Sequence, residues 1–281
     1  MSEVNVYRGI ASLSSVDLFY MDSQAGDIAI IYLHGRCGRA ETWYDFIQQY
    51  GNKYRVIAPD QRGHGLSGKN ESSYTDKEMA DDIIELMEYL SLKSAIIVGH
   101  SMGGAIAGYL AALYPQHVLA AAILDKSAAG PEKPLPISEC MKNSPTKDWP
   151  LPFPSKTEAA EHIRKISCSD LEYRYFMSSL VETVEGYEMM FSANSMAIGI
   201  GQYVTWYQLL PQIQCPVLLI RSGSHESVPD SEYARMQALI TDCTAHEMTH
   251  PDHNVHLADK EQFYYCMDGF LNHVMHLKTG V

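Results

Sequence analysis

Ser101 is the residue whose neighbours in the sequence most clearly indicate chemistry. It lies at the centre of Gly99-His100-Ser101-Met102-Gly103, a Gly-x-Ser-x-Gly pattern. The apolar run Ala95 to Val98 just before it is typical of a buried strand, and the small residues after it indicate a closely packed helix. A serine at such a strand-to-helix turn presents its hydroxyl as a nucleophile, and the flanking glycines leave room for the strained backbone. The sequence therefore predicts Ser101 as a catalytic nucleophile and the Met102 N–H as one donor to an oxyanion.

Histidines near the end of the chain are candidates for the base that a serine nucleophile needs. They are His246, His250, His253 and His256. His253 lies in a loop between the last predicted strand and the final predicted helix, and we assign it as the base, with His250 as the fallback. The spacing of His250, His253 and His256 would also allow zinc binding, but it lacks the His-Glu-x-x-His form. We therefore predict no metal site.

Four segments together resemble the motifs of the α/β-hydrolase superfamily. In chain order they are His34-Gly35-Arg36-Cys37-Gly38, Asp60-Gln61-Arg62-Gly63-His64-Gly65-Leu66-Ser67, Gly99-His100-Ser101-Met102-Gly103-Gly104 and His253-Asn254-Val255-His256-Leu257. Esterases, meta-cleavage-product hydrolases and MenH-like enzymes are all similar. The resemblance implies an α/β-hydrolase fold, with a mostly parallel central sheet flanked by helices, one inserted helical cap and a Ser-His-acid triad. The last segment supports His253 as the base, although Asp252 stands where the family usually has glycine.

The resemblance also implies roles for the segment around Arg36. The N–H of Arg36 is expected to be the second oxyanion donor, and His34 is expected to shape this loop rather than act as a base. The Arg36 side chain either extends into solvent or binds a substrate carboxylate through paired hydrogen bonds. Cys37 is expected to pack rather than react, because nothing in the sequence suggests a second nucleophile.

Two carboxylates compete for the third position of the triad, which orients the imidazole. In similar proteins the acid usually follows the strand after the cap, where this chain has Gly223-Ser224-His225-Glu226. Asp125 follows an earlier predicted strand, at a position that a minority of relatives use. We favour Glu226, because the chain order Ser, acid, His and the position in the motif agree with it. Asp125 is the alternative acid.

Alternating strands and helices are predicted to hold these residues. Short β-branched runs such as Ile28 to Leu33 alternate with amphipathic runs, which predicts a parallel sheet flanked by helices. The alternation breaks in the middle of the chain, so residues 1–127 and 211–281 are predicted to form the core and residues 128–210 a helical cap. Within the cap, Trp149 and Trp206 are predicted to contact an apolar substrate together with Arg36.

Composition and charge restrict the possible partners. The formal net charge of −13 disfavours binding to nucleic acid and to anionic lipid surfaces. No apolar run is long enough for a membrane helix, the chain start lacks the form of a signal peptide, and the scattered cysteines fit reduced thiols. We expect a soluble, cytoplasmic protein that acts on a small acyl substrate without a cofactor. Nothing in the sequence specifies its oligomeric state.

Three functions are compatible with these residues. The favoured one is a serine hydrolase that cleaves a small or medium, largely apolar carboxylic ester, thioester or lactone through an acyl-enzyme on Ser101. The second keeps the triad but cleaves a carbon–carbon bond, or eliminates a small acid, in a carboxylate-bearing substrate that Arg36 would bind. The third is a ligand-binding receptor or low-turnover scaffold on the same fold.

Overall fold

An eight-stranded sheet forms the centre of the computed structural model, which describes residues 3–279. Residues 3–279 contain ten strands, of which eight form this sheet and two form a separate hairpin. They are β1 (Tyr7–Ser12), β2 (Asp17–Asp22), β3 (Ala29–Leu33), β4 (Arg55–Pro59), β5 (Ala95–His100), β6 (Val118–Leu124), β7 (Leu180–Thr183), β8 (Gly186–Met189), β9 (Val217–Arg221) and β10 (Cys243–Glu247). Across the sheet the order is β1-β2-β4-β3-β5-β6-β9-β10, and β7 pairs with β8 elsewhere. Within the eight-stranded sheet, β2 is antiparallel to both of its neighbours, and all other neighbouring strands are parallel. The mostly parallel sheet predicted from the sequence is confirmed.

Helices cover both faces of this sheet. They are α1 (Tyr44–Tyr50), α2 (Asp76–Tyr89), α3 (Met102–Leu113), α4 (Ile137–Cys140), α5 (Lys156–Ile166), α6 (Asp170–Met177), α7 (Ala193–Gln202), α8 (Asp230–Leu239), α9 (Val255–Ala258) and α10 (Lys260–Thr279). Helices α2, α3 and α8 share one apolar cluster with the sheet, and α1 and α10 share another. Adjacent residues of β3 separate accordingly, since Ile31 joins the first cluster and Ile30 the second. The central strands are therefore buried on both faces, as parallel sheets require.

The start of α2 shows how the sequence ends a loop and begins a helix. Thr75 is extended, and its hydroxyl accepts a hydrogen bond from the N–H of Glu78, as an N-cap does. In a full capping box the Glu78 carboxylate would reach back to the Thr75 N–H. Here it accepts hydrogen bonds from Arg62 and Ser73 instead. Thr75 therefore caps α2, while the Glu78 carboxylate links the helix to a neighbouring loop.

The chain between β6 and β9 leaves the sheet and forms a separate layer. It contains α4 to α7, the hairpin of β7 and β8, and a 3-10 turn at Tyr207–Gln212. The sequence predicted only helices here, so the hairpin is an addition. Phe153, Ile163 and Phe191 lie in an apolar cluster that also includes Cys37 of the core. This layer consequently packs against the loop that follows β3.

Strands β1 and β2 form an antiparallel hairpin at the start of the chain, where the sequence analysis assigned no strands. Most of β1 is exposed, so its residues lack the alternation of apolar and polar side chains that marks a half-buried strand. Hairpin pairing between Tyr7 and Asp22, and onward to Ser12 and Asp17, holds β1 in place.

Among residues 3–279, no helix combines the length and apolar character needed to cross a bilayer.

Asp60 and Arg62 connect their own loop to the segment after β3 and to helix α2. The Asp60 carboxylate accepts hydrogen bonds from the N–H groups of Ala40 and Leu66, at 2.5 and 2.7 Å. The Arg62 guanidinium donates two bonds of 2.5 Å to Asp82, and both side chains are buried. Burial raises the pKa of Asp82 to about 6, and the Arg62 cation opposes that rise. This segment is structural, as the sequence predicted.

Replacing Arg62 tests the weight of this buried ion pair. Arg62→Gln leaves the Asp82 carboxylate buried without its cation, so the free energy of unfolding should fall by about 3 kcal/mol. The measurement is urea unfolding followed by circular dichroism. The matched control is Arg8→Gln, which breaks an exposed pair with Glu41 and should cost less than about 1 kcal/mol. Equal losses in the two variants would contradict the structural role of Arg62.

Candidate active site

The turn between β5 and α3 holds Ser101 in a backbone conformation that side chains rarely adopt. Its φ and ψ are +52° and −114°. A Cβ added at Gly99 would lie 1.9 Å from the Gly103 carbonyl oxygen, and one added at Gly103 would lie 2.3 Å from that of Leu33. Both positions therefore require glycine, as the sequence predicted. Strain of this kind persists only where the surrounding structure enforces it, and it is common at functional sites.

The loop after β3 faces this turn. A Cβ on Gly35 would lie 2.7 Å from His100 Nδ1 and 3.2 Å from Ser101 Cβ, so a side chain there would collide with the residue that precedes the serine. Among residues 3–279, the N–H groups of Arg36 and Met102 donate no hydrogen bond. Met102 also begins α3, where the helix dipole favours negative charge. Each of these N–H groups could therefore donate a hydrogen bond to an oxyanion.

His34 holds the loop that carries the first of these donors. Its Nδ1 donates to the Gly35 carbonyl oxygen at 2.8 Å, and its Nε2 accepts from the Gln61 N–H at 3.0 Å. Burial lowers the pKa of His34 to about 4, so the ring is neutral at physiological pH. The geometry agrees with the expectation that His34 shapes the loop rather than acting as a base.

His253 binds a carboxylate, and that carboxylate belongs to Asp125. The His253 Nδ1 lies 2.7 Å from Asp125 Oδ2, and Asp125 Oδ1 accepts from the Ser222 N–H at 2.8 Å. Asp125 follows β6 with a φ of +47° and is fully buried. Burial raises the pKa of Asp125, but the hydrogen bonds from His253 and Ser222 outweigh it and hold the pKa below its usual value. The carboxyl is therefore ionised at neutral pH.

Glu226 lies apart from this contact, contrary to our preference for it as the acid. It is exposed, and its backbone N–H donates to Ser224 Oγ at 3.4 Å. The loop after β9 does reach the imidazole, but through Ser227, whose hydroxyl lies 3.0 Å from His253 Nδ1. Position in the motif had favoured Glu226, whereas the chain folds so that Asp125 is the acid partner of His253. The alternative carboxylate is the one that the geometry supports.

The sequence analysis did not identify Ser227. Its hydroxyl and the Asp125 carboxylate share the same Nδ1–H of His253. A hydroxyl has no charge to stabilise a protonated imidazole, but it restricts rotation of the ring. The signal in the sequence was its place, directly after the segment where relatives have their acid.

The other candidate histidines take positions that do not suit a base. His250 is exposed, and its Nδ1 accepts from the Asp252 N–H at 3.1 Å. His256 is buried and stacks on Trp43 with ring centroids 4.3 Å apart, and burial lowers its pKa to about 3. Within the described residues 3–279, no three His, Cys, Asp or Glu side chains are arranged to hold a metal ion.

His100 connects the loop of His253 to Ser101. Its Nε2 donates to the His253 carbonyl oxygen at 2.9 Å, and the two rings are 4.7 Å apart between centroids. His100 immediately precedes Ser101, so the loop of His253 is tied to the end of β5. In the part of the chain that the structure describes, Ser101 Oγ itself makes no hydrogen bond. In unliganded sites such contacts are often long and tighten only when substrate binds.

The two predicted tryptophans lie in packed positions. Trp206 is fully buried, and its ring fills the space above Gly108 of α3, where a Cβ would lie 2.5 Å away. Because Trp206 has no accessible surface, it cannot touch a substrate in this conformation. Trp149 packs edge-on against Phe176 and Phe191, with centroids 5.9 and 5.8 Å apart. Trp149 packs within the insertion and Trp206 packs against α3, so both rings take part in packing.

A cavity of about 380 Å³ opens beside His253. Residues 168–172 of the insertion line one side, and residues 224–227 and 250–254 line the other. Ser169 donates a hydrogen bond of 2.5 Å to Asp252, which joins the insertion to the loop of the base. A small molecule could reach the imidazole through this opening.

Arg36 and Cys37 are neighbouring residues in the loop after β3. Cys37 is buried with a φ of +64°, and burial raises the pKa of its thiol to about 12, so it is not a thiolate at neutral pH. The Arg36 side chain is half-buried, and burial lowers the pKa of its guanidinium. Within residues 3–279 it makes no ion pair and donates no hydrogen bond.

The sheet order and the strand-turn-helix at Ser101 define an α/β-hydrolase fold, and comparisons with known proteins agree. The sequence model of the α/β-hydrolase fold family matches residues 28–151. The crystal structure of E-2-(acetamidomethylene)succinate hydrolase has a TM-score of 0.81 at 22% identity and covers 95% of this chain and 100% of that one. The fold of this chain is that of the α/β-hydrolase superfamily, and the family model over residues 28–151 supports the same placement.

Two curated relatives show how far the sequence likeness extends. The human serine hydrolase BPHL is 26% identical over 267 residues, 92% of this chain and 84% of that protein. The bifunctional esterase/perhydrolase DCH of Acinetobacter calcoaceticus is 33% identical over 117 residues, or 41% of this chain. The matched part spans only 42% of the length of that relative. The enol-lactonase of Burkholderia xenovorans LB400 has a TM-score of 0.73 at 17% identity, covering 94% of this chain and 100% of that one, a likeness of fold alone.

Proposed function

We propose that this protein is a serine hydrolase that cleaves a small or medium carboxylic ester, thioester or lactone through an acyl-enzyme on Ser101. His253 is the base in this proposal and Asp125 is the acid. The observation that supports it most strongly is the 2.7 Å contact between His253 Nδ1 and a buried, ionised Asp125, tied to the strained turn of Ser101. The curated relatives include a serine hydrolase and an esterase/perhydrolase, which agrees with this chemistry.

The proposed reaction begins when His253 accepts the hydroxyl proton of Ser101. Because Nδ1–H donates to Asp125, the lone pair of His253 lies on Nε2, where a base is needed. Ser101 Oγ attacks the carbonyl carbon, and the carbonyl oxygen becomes an oxyanion. His253 then returns the proton to the leaving alcohol or thiol as the tetrahedral intermediate collapses to the acyl-enzyme. Water, deprotonated by the same imidazole, releases the acid and restores Ser101.

The oxyanion is stabilised in this proposal by the N–H groups of Arg36 and Met102. Both have no acceptor in the described part of the chain, so neither must give up a bond when substrate binds. Losing one such donor typically lowers the rate by about 100- to 1000-fold. The Asp125 carboxylate stabilises the imidazolium that forms at the same moment, since its pKa is held below the usual value.

The partner in this proposal is a small acyl compound rather than a macromolecule. The cavity beside His253 has a volume of about 380 Å³, which suits a small or medium ligand. The formal net charge of −13 disfavours nucleic acid. A second candidate, carbon–carbon bond cleavage or elimination in a carboxylate-bearing substrate, is favoured by one observation, the half-buried Arg36 side chain without an anionic partner.

A fluorophosphonate probe tests the proposed nucleophile. The probe phosphonylates activated serines, so wild-type protein should gain one adduct, located on Ser101 by peptide mass spectrometry. Ser101→Ala should gain none, and Ser195→Ala, which changes a buried serine of α7, should label like wild type. Equal labelling of Ser101→Ala would overturn the assignment. Labelling without multiple turnover on a panel of acyl esters would favour a receptor over a hydrolase.

Paired substitutions of the two candidate acids test the triad. Asp125→Asn keeps the size of the side chain but cannot stabilise the imidazolium, so kcat should fall by about 1000- to 10,000-fold. Glu226→Gln is the matched control and should change kcat by less than about threefold, because its side chain is exposed and, within residues 3–279, makes no hydrogen bond or ion pair with His253. The measurement is steady-state hydrolysis of p-nitrophenyl butyrate. A large loss in Glu226→Gln with little loss in Asp125→Asn would reverse the assignment.

A further inference from the structure

Two cationic residues leave the backbone on either side of the reacting groups. Arg36 follows Gly35, where an added Cβ would lie 3.2 Å from Ser101 Cβ. Lys126 follows Asp125, and its Cβ lies 3.1 Å from the position that a Cβ on Gly104 would take, in the first turn of α3. Both side chains therefore start within one residue of a group that the proposed mechanism uses.

Neither cation has an anionic partner in direct contact. Among residues 3–279, no carboxylate oxygen lies within 4.0 Å of Arg36 or Lys126, and neither side chain donates a hydrogen bond. Lys126 Nζ instead lies 3.8 Å from the centroid of the Tyr203 ring, a cation–π contact. The Tyr203 hydroxyl donates to the carbonyl oxygens of Ser127 and Ala129, which fixes the ring in place. The lysine is thus held, but its charge is not neutralised.

The surroundings of these groups are enclosed but still accessible. Arg36, Lys126 and Asp76, the first residue of α2, are each half-buried. Burial is nonetheless the largest influence on the pKa of all three, lowering those of Arg36 and Lys126 and raising that of Asp76. For Lys126 the pKa falls to about 8, with Arg36 lowering it further and Asp76 opposing. Arg36, Lys126 and Asp76 therefore lie close enough to influence one another's pKa, in surroundings that are partly shielded from water.

We propose that Arg36 and Lys126 form an anion subsite that binds a free carboxylate of the substrate beside the scissile ester. Two cations face one carboxylate, Asp76, so the local charge matches a single negative charge. Arg36 can donate paired hydrogen bonds to a carboxylate, and Lys126 adds a compact charge from the opposite side. The inference rests on the proposed function, since the subsite matters only if Ser101 is acylated. It narrows the substrate class to esters that also carry one carboxylate.

A pair of matched esters tests the subsite. The mono-p-nitrophenyl ester of glutaric acid carries a carboxylate, and p-nitrophenyl pentanoate has similar length and the same leaving group without the charge. Wild-type protein should prefer the anionic ester in kcat/KM. Lys126→Met and Arg36→Met should each lower that preference by about 10-fold or more, while Arg36→Met keeps its N–H. The control Lys165→Met removes an exposed cation of α5 and should leave the preference unchanged.

The pH dependence gives a readout that a purely structural lysine would not affect. Lys126 loses its charge as pH rises through about 8, so the preference for the anionic ester should fall there. Titration of the triad affects both esters and cancels in the ratio. The charged and titratable neighbours of Lys126 are Arg36, Asp76 and Tyr203. In Lys126→Met the ratio should not change across this pH range.

Labelling of Ser101 by the fluorophosphonate separates failure of the subsite from failure of the hydrolase. If all variants label normally and the preference is absent in wild type or unchanged in Lys126→Met, the subsite is wrong and the proposed function stands. If wild type does not label, the proposed function is wrong. If neither ester is hydrolysed, glutarate should slow labelling of wild type more than that of Lys126→Met, and equal protection would overturn the subsite.

Discussion

The left-handed turn at Ser101 is the constraint on which the rest of the site depends. A serine with a φ of +52° is stable only if nothing collides with it, and this explains the bare backbone at Gly35, Gly99 and Gly103. Those three positions belong to β5, α3 and the loop after β3, so the turn also sets how closely these elements approach. The strained turn thereby determines where the Ser101 hydroxyl lies relative to the N–H groups of Arg36 and Met102.

The charged groups around this turn are buried or half-buried, so they interact more strongly with one another than they would in water. Asp125 is fully buried, yet hydrogen bonds from His253 and Ser222 keep its pKa below the usual value. An ionised carboxylate in an enclosed setting interacts strongly with an imidazolium, since little water screens it. Arg36 and Lys126 face a similar setting without a direct anionic contact. A ligand that supplies one negative charge would complete that side of the site.

Local patterns in the sequence were sufficient for the core elements but not for every contact. The apolar run before Ser101 and the small residues after it predicted β5 and α3 at the positions observed. Strand β1 was missed because it is mostly exposed, and its pairing with β2 stabilises it more than its own pattern does. The same applies to the hairpin of β7 and β8.

The sequence alone could not identify the carboxylate that contacts His253. Asp125 and His253 are 128 residues apart, and only the folded sheet brings them within 2.7 Å. Position in the motif pointed to Glu226, but the loop after β9 brings Ser227 to the imidazole instead. Trp206 illustrates a related limit, because an aromatic residue in a predicted cap does not reveal whether its ring lines a pocket or fills a space such as that above Gly108.

A crystal structure of the protein with a phosphonate bound covalently to Ser101 would test the proposed nucleophile, acid and oxyanion donors together. The phosphonyl oxygen should accept hydrogen bonds from the N–H groups of Arg36 and Met102, and Asp125 should remain bound to His253 Nδ1. An adduct on another residue, or a phosphonyl oxygen directed away from these two donors, would contradict these assignments.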